Sequence, residues 1–400
     1  MIPHLWNALR WRSVWVAERA LAAVPHPMLE RRCELLEALS LHLQRATDFD
    51  VHGYLEGVQG YADSMRRGPF EYAFSAASSR PTLYASVYAC LLAAQTGRLA
   101  AMGADERRAW ASFLDGFQTP ADGLFRDPAV AGPAFESRDW WGARHLMLHV
   151  LPAYVALGAR PAHPLRYLDA YKDEAALQRW FSQTDWQSRF TDANDVDNKL
   201  MNVACALQFS RDFLGDASAG PAVRTIQRLL LERVDPKTGL WGPVVDTDPA
   251  ALSRSVQFAY HLYPILLYDG IRVPAADKAV ALALRTQNSL GGFGVAQNSS
   301  ACEDIDSIEI MVRLAPSDAK LLRPALIRAL AWVLVNQNAD GGFVFRRHTA
   351  LEYGHRHMAA RAQQSEMFST WFRTLSVMLL HRGLHGTDAM VPRRVPGYYV

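Results

Sequence analysis

The chain has 400 residues, half of them apolar, and its 42 basic residues nearly balance its 40 acidic ones, for a formal net charge of +2. This small charge gives no electrostatic reason to expect a nucleic-acid partner. The four cysteines are scattered and form no CxxC pair. Such cysteine usage is typical of a reducing, cytoplasmic compartment and argues against a disulfide framework.

The N-terminal stretch carries Arg10, Arg12 and Glu18 among its apolar residues. With these charges it matches neither a signal peptide nor a transmembrane helix. The longest apolar run elsewhere, 258–268, is interrupted by His261 and Pro264. We therefore expect a chain without a transmembrane segment.

Most of the chain is predicted to form helices of ordinary length, separated by turns that contain Pro or Gly. Convincing period-2 strand patterns are not found, so the predicted fold class is all-α. In chain order the predicted helices are Leu29–Gln44, Leu83–Thr96, Asp105–Phe117, Trp141–Ala156, Lys199–Phe213, Ala222–Arg233, Leu252–Tyr268, Ala275–Thr286, Ser300–Leu314, Leu321–Asn336 and Gln364–His381.

Four apolar helical runs end in the same way, in a glycine followed by an aromatic residue. They are Phe113–Phe125, Arg224–Trp241, Lys278–Phe293 and Arg328–Phe343. The last three recur about every 50 residues, which is typical of an array of equivalent helical hairpins. Such an array is either an open solenoid or a closed ring, and the Gly-Gly-Phe turns favour the ring. We predict one domain over 1–400, with N-terminal helices in 1–100, the clearest repeats in 101–385 and a tail in 386–400.

The segments around Gln287 and Gln337 resemble the Gln-and-aromatic repeats of the squalene cyclase and protein prenyltransferase superfamily. In that pattern a basic and a small residue precede an aliphatic or aromatic pair, then the Gln, then Gly and an aromatic residue. The segment of Gln337 satisfies it, the segment of Gln287 nearly does, and in both Phe replaces the usual Trp. In the second run we expect Asp235 to stand where the other repeats have the Gln. The resemblance, which covers roughly 113–381, implies an α/α toroid with inner and outer helices around a central cavity. Cyclases, prenyltransferase subunits, lyases and non-enzymes share this fold, so it does not determine the function.

An acidic cluster follows the third repeat. Ser300 and Glu303 match a capping box, which predicts that a helix begins here. In the resembling cyclases a DxDD motif donates the proton that starts cyclisation, and the corresponding residues of this chain read DIDS. The resemblance implies that Asp306 is the proton donor and that Asp304 and Glu303 tune it. Ser307 replaces the last acid of the motif.

Two other interpretations of this cluster stay open. Acids in a first helical turn stabilise the helix N-terminus and need no further role. On a helical wheel Asp306 lies with Glu309 and Arg313, opposite Ile305 and Ile308. That polar face is either a solvated exterior or the wall of a polar cavity.

Aromatic and basic side chains are predicted to line a substrate cavity, where π faces would stabilise cationic intermediates. His145 and His149 lie one helical turn apart and form either an acid/base pair or two ordinary helical histidines. Because no third ligand has a recognisable spacing, no metal site is predicted. The predicted substrate-binding residues are Trp140, Trp141, Arg144, His145, Tyr260 and Trp332.

Three further segments are weaker candidates. The acidic run Asp192–Asn198 either holds Mg²⁺, if the substrate is a diphosphate, or starts a helix. Cys302 and Asp304 stand in the reverse order of the zinc-binding DxC of prenyltransferase β subunits, so a zinc site is not expected. The Arg- and His-rich loop Arg346–Arg361 either binds an anionic group or is a solvated surface.

The first functional hypothesis is a terpene-cyclase-like enzyme that cyclises a linear isoprenoid, or isoprenoid diphosphate, by protonation. One alternative is a glycan-active toroid, either a polysaccharide lyase or a glycosidase. The other is a non-catalytic toroid that binds a lipid or a partner. An apolar, closed interior would favour the isoprenoid, and an open cleft rich in Arg, Asn and acids would favour the glycan.

Overall fold

The computed structural model describes residues 26–47, 49–186, 195–315, 322–386 and 393–399. These parts of the chain are mostly helical, and their only sheet pairs two short strands, β1 (Leu351–Glu352) and β2 (Ala359–Ala360). The predicted all-α fold class is therefore confirmed. None of the helices described here combines the length and the apolar character needed to cross a bilayer.

Every helix predicted from the sequence is present, with ends shifted by a few residues. Short 3₁₀ helices span Arg166–Tyr171 and Arg356–Met358. The α-helices are α1 (His26–Thr47), α2 (Val51–Ser64), α3 (Leu83–Gln95), α4 (Arg98–Ala101), α5 (Ala104–Asp115), α6 (Pro133–Ser137), α7 (Ala143–Leu157), α8 (Glu174–Gln183), α9 (Val196–Phe213), α10 (Ala219–Leu231), α11 (Pro249–Leu267), α12 (Ala276–Arg285), α13 (Ala301–Arg313), α14 (Arg323–Val335) and α15 (Met367–His385).

Sequence patterns missed α2, α8 and the short helices α4 and α6. Helix α2 contains three glycines, which weaken its intrinsic helix propensity. It forms because the Asp50 side chain accepts a hydrogen bond from Gly53 N and because Tyr54, Val58 and Tyr61 are buried. Tertiary packing thus outweighs local propensity in this segment.

Six helices, the core helices, contact one another in chain order: α3 with α7, α7 with α9, α9 with α11, α11 with α13, and α13 with α15. Helix α15 also contacts α3. Four further helices pack across neighbouring core helices. Helix α10 contacts α9 and α11, α12 contacts α11 and α13, α14 contacts α13 and α15, and α2 contacts α15 and α3. One hydrophobic core connects all of these elements.

The repeat turns share a backbone arrangement. A bridge closes each turn, joining Gln118 to Phe125, Val234 to Trp241, Gln287 to Phe293, and Gln337 to Phe343. In the last two repeats the Gln side chain donates to the carbonyl of the turn glycine, at 2.9 and 3.1 Å. The second repeat has Val234 at the Gln position. The prediction that Asp235 occupies it was wrong, because that turn contains one residue more than the last two.

Close backbone approach explains the glycines of these turns. Gly341 has φ +87°, and a Cβ added there would lie 2.1 Å from the carbonyl oxygen of Gly57 in α2. Gly291 has φ +96°, and its added Cβ would lie 2.4 Å from the carbonyl oxygen of Arg328 in α14. Both positions need the left-handed region and the absence of a side chain. The last repeat turn therefore packs directly on a helix from the N-terminal part of the chain.

We expect Gly341→Ala to lower the free energy of unfolding by about 1–3 kcal/mol, since it adds backbone strain and a clash with Gly57. Gly60→Ala is the matched control, because a Cβ at this position in α2 meets no atom within 4 Å. That change should stabilise the protein by about 0.5–1 kcal/mol. Urea denaturation followed by circular dichroism measures both, and equal effects would contradict the packing described for the last turn.

Candidate functional site

The acidic cluster begins α13, as predicted. Glu303 Oε2 accepts hydrogen bonds from Ser300 N (2.8 Å) and Ser300 Oγ (2.7 Å), and Glu303 N donates to Ser300 Oγ (3.3 Å). The same carboxylate forms an ion pair with Arg346 at 2.9 Å. Glu303 is thus engaged in capping the helix and in holding the 346–361 loop.

Asp304 is the centre of a fully buried hydrogen-bond network. Its Oδ1 accepts from Ser299 Oγ at 2.6 Å and from Phe293 N at 3.0 Å. Its Oδ2 accepts from Trp332 Nε1 at 3.0 Å and from Arg373 Nη1 at 2.8 Å. This carboxylate therefore links the third repeat turn, α13, α14 and α15.

Arg373 completes the network from α15. It is fully buried, and besides Asp304 it donates to the carbonyl oxygens of Val344 (3.0 Å) and Phe345 (2.9 Å). Trp332, predicted to bind substrate, lies beneath the repeat turn, where its indole N–H binds Asp304. The contacts of Trp332 and Arg373 are those of a structural support.

Replacing Asp304 by Asn should destabilise the fold by about 3–5 kcal/mol, because the Arg373 cation would stay buried without its counter-charge. The matched control is Asp246→Asn, which breaks the exposed pair between Asp246 and Arg285. Exposed pairs contribute little, so this variant should unfold as the wild type does. Chemical denaturation measures both, and a similar small effect for the two variants would contradict the central role of Asp304.

Asp306 lies two residues further along α13, and it is also buried. Its exposed fraction is 3%, and its neighbours on the same helical face, Glu309 and Arg313, are an ion pair at 3.1 Å that is buried as well. Of the two interpretations of this face, the solvated exterior is therefore wrong. Within the described parts of the chain Asp306 itself makes no hydrogen bond or ion pair.

The surroundings of Asp306 favour its neutral form. Burial raises its pKa well above the ordinary value, the charge of His261 opposes this rise, and Glu309 and Glu303 add to it. Burial likewise raises the pKa of Glu309 to about 7. A carboxyl group in this setting keeps its proton at pH values where an exposed aspartate is ionised.

His261 in α11 is the functional candidate that the sequence patterns missed. Its Nδ1 lies 2.8 Å from Asp197 Oδ2, and both side chains are mostly buried. Burial lowers the pKa of His261, but the charge of the Asp197 carboxylate and the hydrogen bond with it outweigh this effect, and the net shift is upward. The one available signal was that this histidine interrupts an otherwise apolar run.

The acidic run before α9 has a structural role in its described part. Asp195 accepts hydrogen bonds from the backbone N–H groups of Asp139 (3.1 Å) and Trp140 (2.7 Å) and from Asn198 Nδ2 (2.8 Å). Burial, with help from the nearby Asp197 and Asp139, raises the pKa of Asp195 to about 6. Asp192 lies outside the described residues. Helix α9 starts at Val196, earlier than the predicted Lys199.

The other predicted substrate-binding residues divide into two groups. Trp141 is buried, Trp140 is half-buried with its ring 6.3 Å from that of Tyr353, and His145 Nδ1 lies 3.1 Å from Tyr84 Oη. Arg144 instead forms an ion pair with Asp139 at 2.6 Å. The charge of Arg144 is therefore already neutralised.

A cluster of aromatic rings fills the space between α3, α7 and α15. His149 is fully buried there, its ring 4.8 Å from His145 and 4.9 Å from Trp371. Burial lowers the pKa of His149 far below normal, so its imidazole is neutral. Tyr353, from the 346–361 loop, stacks on Phe368 at 4.3 Å. The interior face of that loop is thus aromatic.

Tyr260 lies beside His261 in α11, with 5.1 Å between the ring centroids. It is buried, and its hydroxyl has no hydrogen-bond partner among the described residues. Burial is the main reason that the pKa values of Tyr260, Tyr398 and Cys302 lie well above normal, and ionisation of Asp306 would raise each of them further. The four side chains therefore share one neighbourhood, in which a neutral acid lies among phenols and a protonated thiol.

Within the described ranges, no group of three or more His, Cys, Asp or Glu side chains is arranged to hold a metal ion. Asp304 forms an ion pair with Arg373. It is therefore not available as a zinc ligand together with Cys302 and the histidines of the 346–361 loop. The role of Asp304 is therefore structural.

No protein-family model matches this chain, and a search of curated proteins finds no match either. The superfamily resemblance of the repeats stays an expectation from the sequence. Asp306, His261 and the aromatic cluster are the features on which a functional proposal can stand.

The protonation of Asp306 should be visible in the pH dependence of stability. Its pKa in the folded state is raised above the ordinary 3.8, so its contribution to stability is complete below that value and is lost as pH rises toward the folded-state pKa. The stability of the wild type minus that of Asp306→Asn should therefore decline as pH rises above about 4, by up to about 1.4 kcal/mol per pH unit.

Denaturation at a series of pH values measures this difference, with Asp246→Asn as the control. Arg285 holds the pKa of Asp246 below the ordinary value, so the contribution of Asp246 is lost toward low pH and does not decline above pH 4. A difference for Asp306→Asn that stays level above pH 4 would show that the Asp306 carboxyl is ionised in the folded protein.

Proposed function

We propose that this protein is an α/α toroid that cyclises a linear isoprenoid by protonation, with Asp306 as the acid. The observation that carries the proposal is a carboxyl group of raised pKa, buried on the side of α13 that faces Tyr260 and Tyr398 electrostatically, and without a hydrogen-bond partner in the described residues. An acid that must protonate an alkene has to be neutral and sheltered from water.

The toroid is supported by the order of the helix contacts. The core helices contact one another in sequence, and the last of them, α15, contacts the first, α3. The contact of the Gly341 turn with Gly57 joins the last repeat to α2. In the proposed fold the core helices form the inner ring, and α2, α10, α12 and α14 belong to the outer one.

The proposed reaction begins with the transfer of a proton from Asp306 to the substrate. The proton of the Asp306 carboxyl passes to one carbon of a terminal alkene, whose π electrons form the new C–H bond. The other alkene carbon becomes a tertiary cation, and attack by the next double bond closes the ring. The Asp306 carboxylate then stays near protonated His261, which favours its formation. Loss of a proton ends the reaction, and a proton from solvent restores the acid.

Aromatic rings would stabilise the cationic intermediates. Trp371, Phe368, Tyr353 and Tyr260 present π faces or edges within the buried interior, and such faces attract cations most strongly where water is excluded. Their bulk would also hold the flexible substrate in a folded conformation.

Within this proposal Asp304 and Glu303 have different roles from those expected. Glu303 contributes to the raised pKa of Asp306 through its charge, but its main contacts cap α13 and bind Arg346. The charge of Asp304 is neutralised by Arg373. Asp306 is the one member of the cluster that is left without a structural partner in the described chain.

The two alternatives find less support. A glycan-active site needs an open cleft with charged and amide side chains, whereas the interior here is aromatic and its arginines Arg313 and Arg373 are paired. A non-catalytic toroid would be favoured by Asp304 and Asp306 pointing into solvent. Both are buried.

The decisive experiment is incubation of the purified protein with linear isoprenoids and isoprenoid diphosphates of several chain lengths, followed by mass spectrometry of the products. We expect cyclic products from the wild type and a loss of at least about a hundredfold in rate for Asp306→Asn, which cannot donate the proton. The rate should fall as pH rises through the pKa of Asp306, because only the neutral acid is active.

Asp277→Asn, an exposed substitution on α12, is the control and should leave the rate unchanged. A parallel reaction with a chelator tests whether a diphosphate substrate needs Mg²⁺. Equal rates for the wild type and Asp306→Asn would remove Asp306 from the reaction. Turnover of an acidic polysaccharide in place of any isoprenoid would establish the glycan alternative.

A further inference from the structure

Residues 393–399, the tail segment, pack into the aromatic interior between α7 and α15. Tyr398 and Tyr399 are almost completely buried. The ring of Tyr398 stacks on His149, with 5.3 Å between centroids and 10° between planes. Its edge contacts are with Trp371 at 5.1 Å and Phe372 at 5.8 Å. A side chain from the end of the described chain thus lies at the centre of the candidate site.

The tail segment is attached through side chains. Tyr399 Oη accepts hydrogen bonds from Trp371 Nε1 (2.7 Å) and Gln95 Nε2 (3.2 Å). Arg394 donates to the carbonyl oxygens of Leu267 and Tyr268 and lies 5.1 Å from the Tyr268 ring centroid. Among the described residues, the backbone hydrogen bond of the segment joins Val395 N to Tyr399 O, within the segment itself. Side-chain packing and side-chain hydrogen bonds therefore hold the segment in place, and no backbone hydrogen bond in the described chain ties it to another element.

The groups next to Tyr398 are incompletely satisfied while it is in place. Neither ring nitrogen of His149 has a hydrogen-bond partner in the described chain, although the side chain is fully buried. The buried hydroxyl of Tyr260 in α11 has none either. Buried polar groups are nearly always paired in native proteins, and such exceptions call for a missing partner.

The same groups indicate what that partner is. His149 is a neutral imidazole with one N–H donor and one acceptor nitrogen, so it can bind a hydroxyl or carbonyl oxygen. The nearby cations, Arg313, Arg373 and His261, are already paired with Glu309, Asp304 and Asp197. A phosphate placed here would meet the carboxyl groups of Asp306 and Glu309 without a free counter-charge. A neutral molecule fits this environment and an anion does not.

We propose that the tail segment is a displaceable plug that occupies the binding site of a neutral, largely apolar ligand with one polar oxygen. The ligand takes the place of the Tyr398 ring and pairs with His149. This proposal deepens the proposed function and rests on it for the isoprenoid class of the ligand. The free protein is then self-inhibited. Only molecules whose plug has left the site can bind the ligand, so the apparent affinity falls as their fraction falls.

The test uses the full chain and farnesol, a neutral isoprenoid alcohol. Arg394→Ala removes the contacts with Leu267 and Tyr268 but leaves the site itself intact. We expect it to bind farnesol about tenfold more tightly than the wild type, because it loses charged hydrogen bonds that hold the seated state. Arg285→Ala, the same change in an exposed ion pair, is the control and should bind as the wild type does. Isothermal titration calorimetry measures the affinities.

Hydrogen–deuterium exchange gives the second readout. Farnesol should accelerate exchange in 395–399 and slow it around His149, because the ligand replaces the plug. Tyr398→Ala removes the ring from the site without loosening Arg394. This variant should bind farnesol more tightly than the wild type, and farnesol should accelerate exchange in its residues 395–399 less. Unchanged or slower exchange in 395–399 on binding, equal affinity of Arg394→Ala and the wild type, or no binding by any variant would each overturn the proposal.

The outcomes separate this proposal from the proposed function. Tighter binding by Arg394→Ala without cyclic products from any isoprenoid would support the plug and reject the cyclase. Cyclic products from a wild type whose tail segment does not respond to farnesol would support the cyclase and reject the plug. The double variant Asp306→Asn with Arg394→Ala should bind farnesol as Arg394→Ala does, since proton donation is not needed for binding.

Discussion

The buried ion pair between Asp304 and Arg373 is the interaction on which the site depends. Neither side chain is exposed, and together they bind the third repeat turn, Trp332 and the chain at Val344 and Phe345. A buried pair is tolerated when hydrogen bonds satisfy both partners, as they do here. Its contacts determine how α13 is rotated about its own axis.

That rotation gives two acids of one short cluster opposite roles. Asp306 lies two residues beyond Asp304, about 200° further around the helix. Asp304 therefore faces Arg373, while Asp306 faces the side of Glu309 and His261. Burial then acts on them differently. The paired carboxylate stabilises the packing, and the carboxyl without a partner keeps its proton. The proposed chemistry depends on this difference.

The site combines residues that are distant in the sequence, which limits what sequence patterns could reveal. Trp140, Trp141, His145 and Tyr260 were predicted near a substrate and do lie in or beside the buried interior. Arg144 and Trp332 have the right residue types but bind Asp139 and Asp304. His261, Tyr353 and Tyr398 belong to no motif. They come together because α11, the 346–361 loop and the tail segment pack on the same interior.

Features that arise from interactions between near neighbours could be read from the amino-acid sequence. Helix bounds follow from apolar periodicity, the start of α13 from its capping box, and the repeat turns from glycines that adopt a left-handed conformation. The structure alone decided which face of α13 is buried, which acid is paired and what occupies the space beside Asp306. Those properties depend on contacts such as that of Asp304 with Arg373, whose partners lie far apart in the chain, and local propensity carries no information about them.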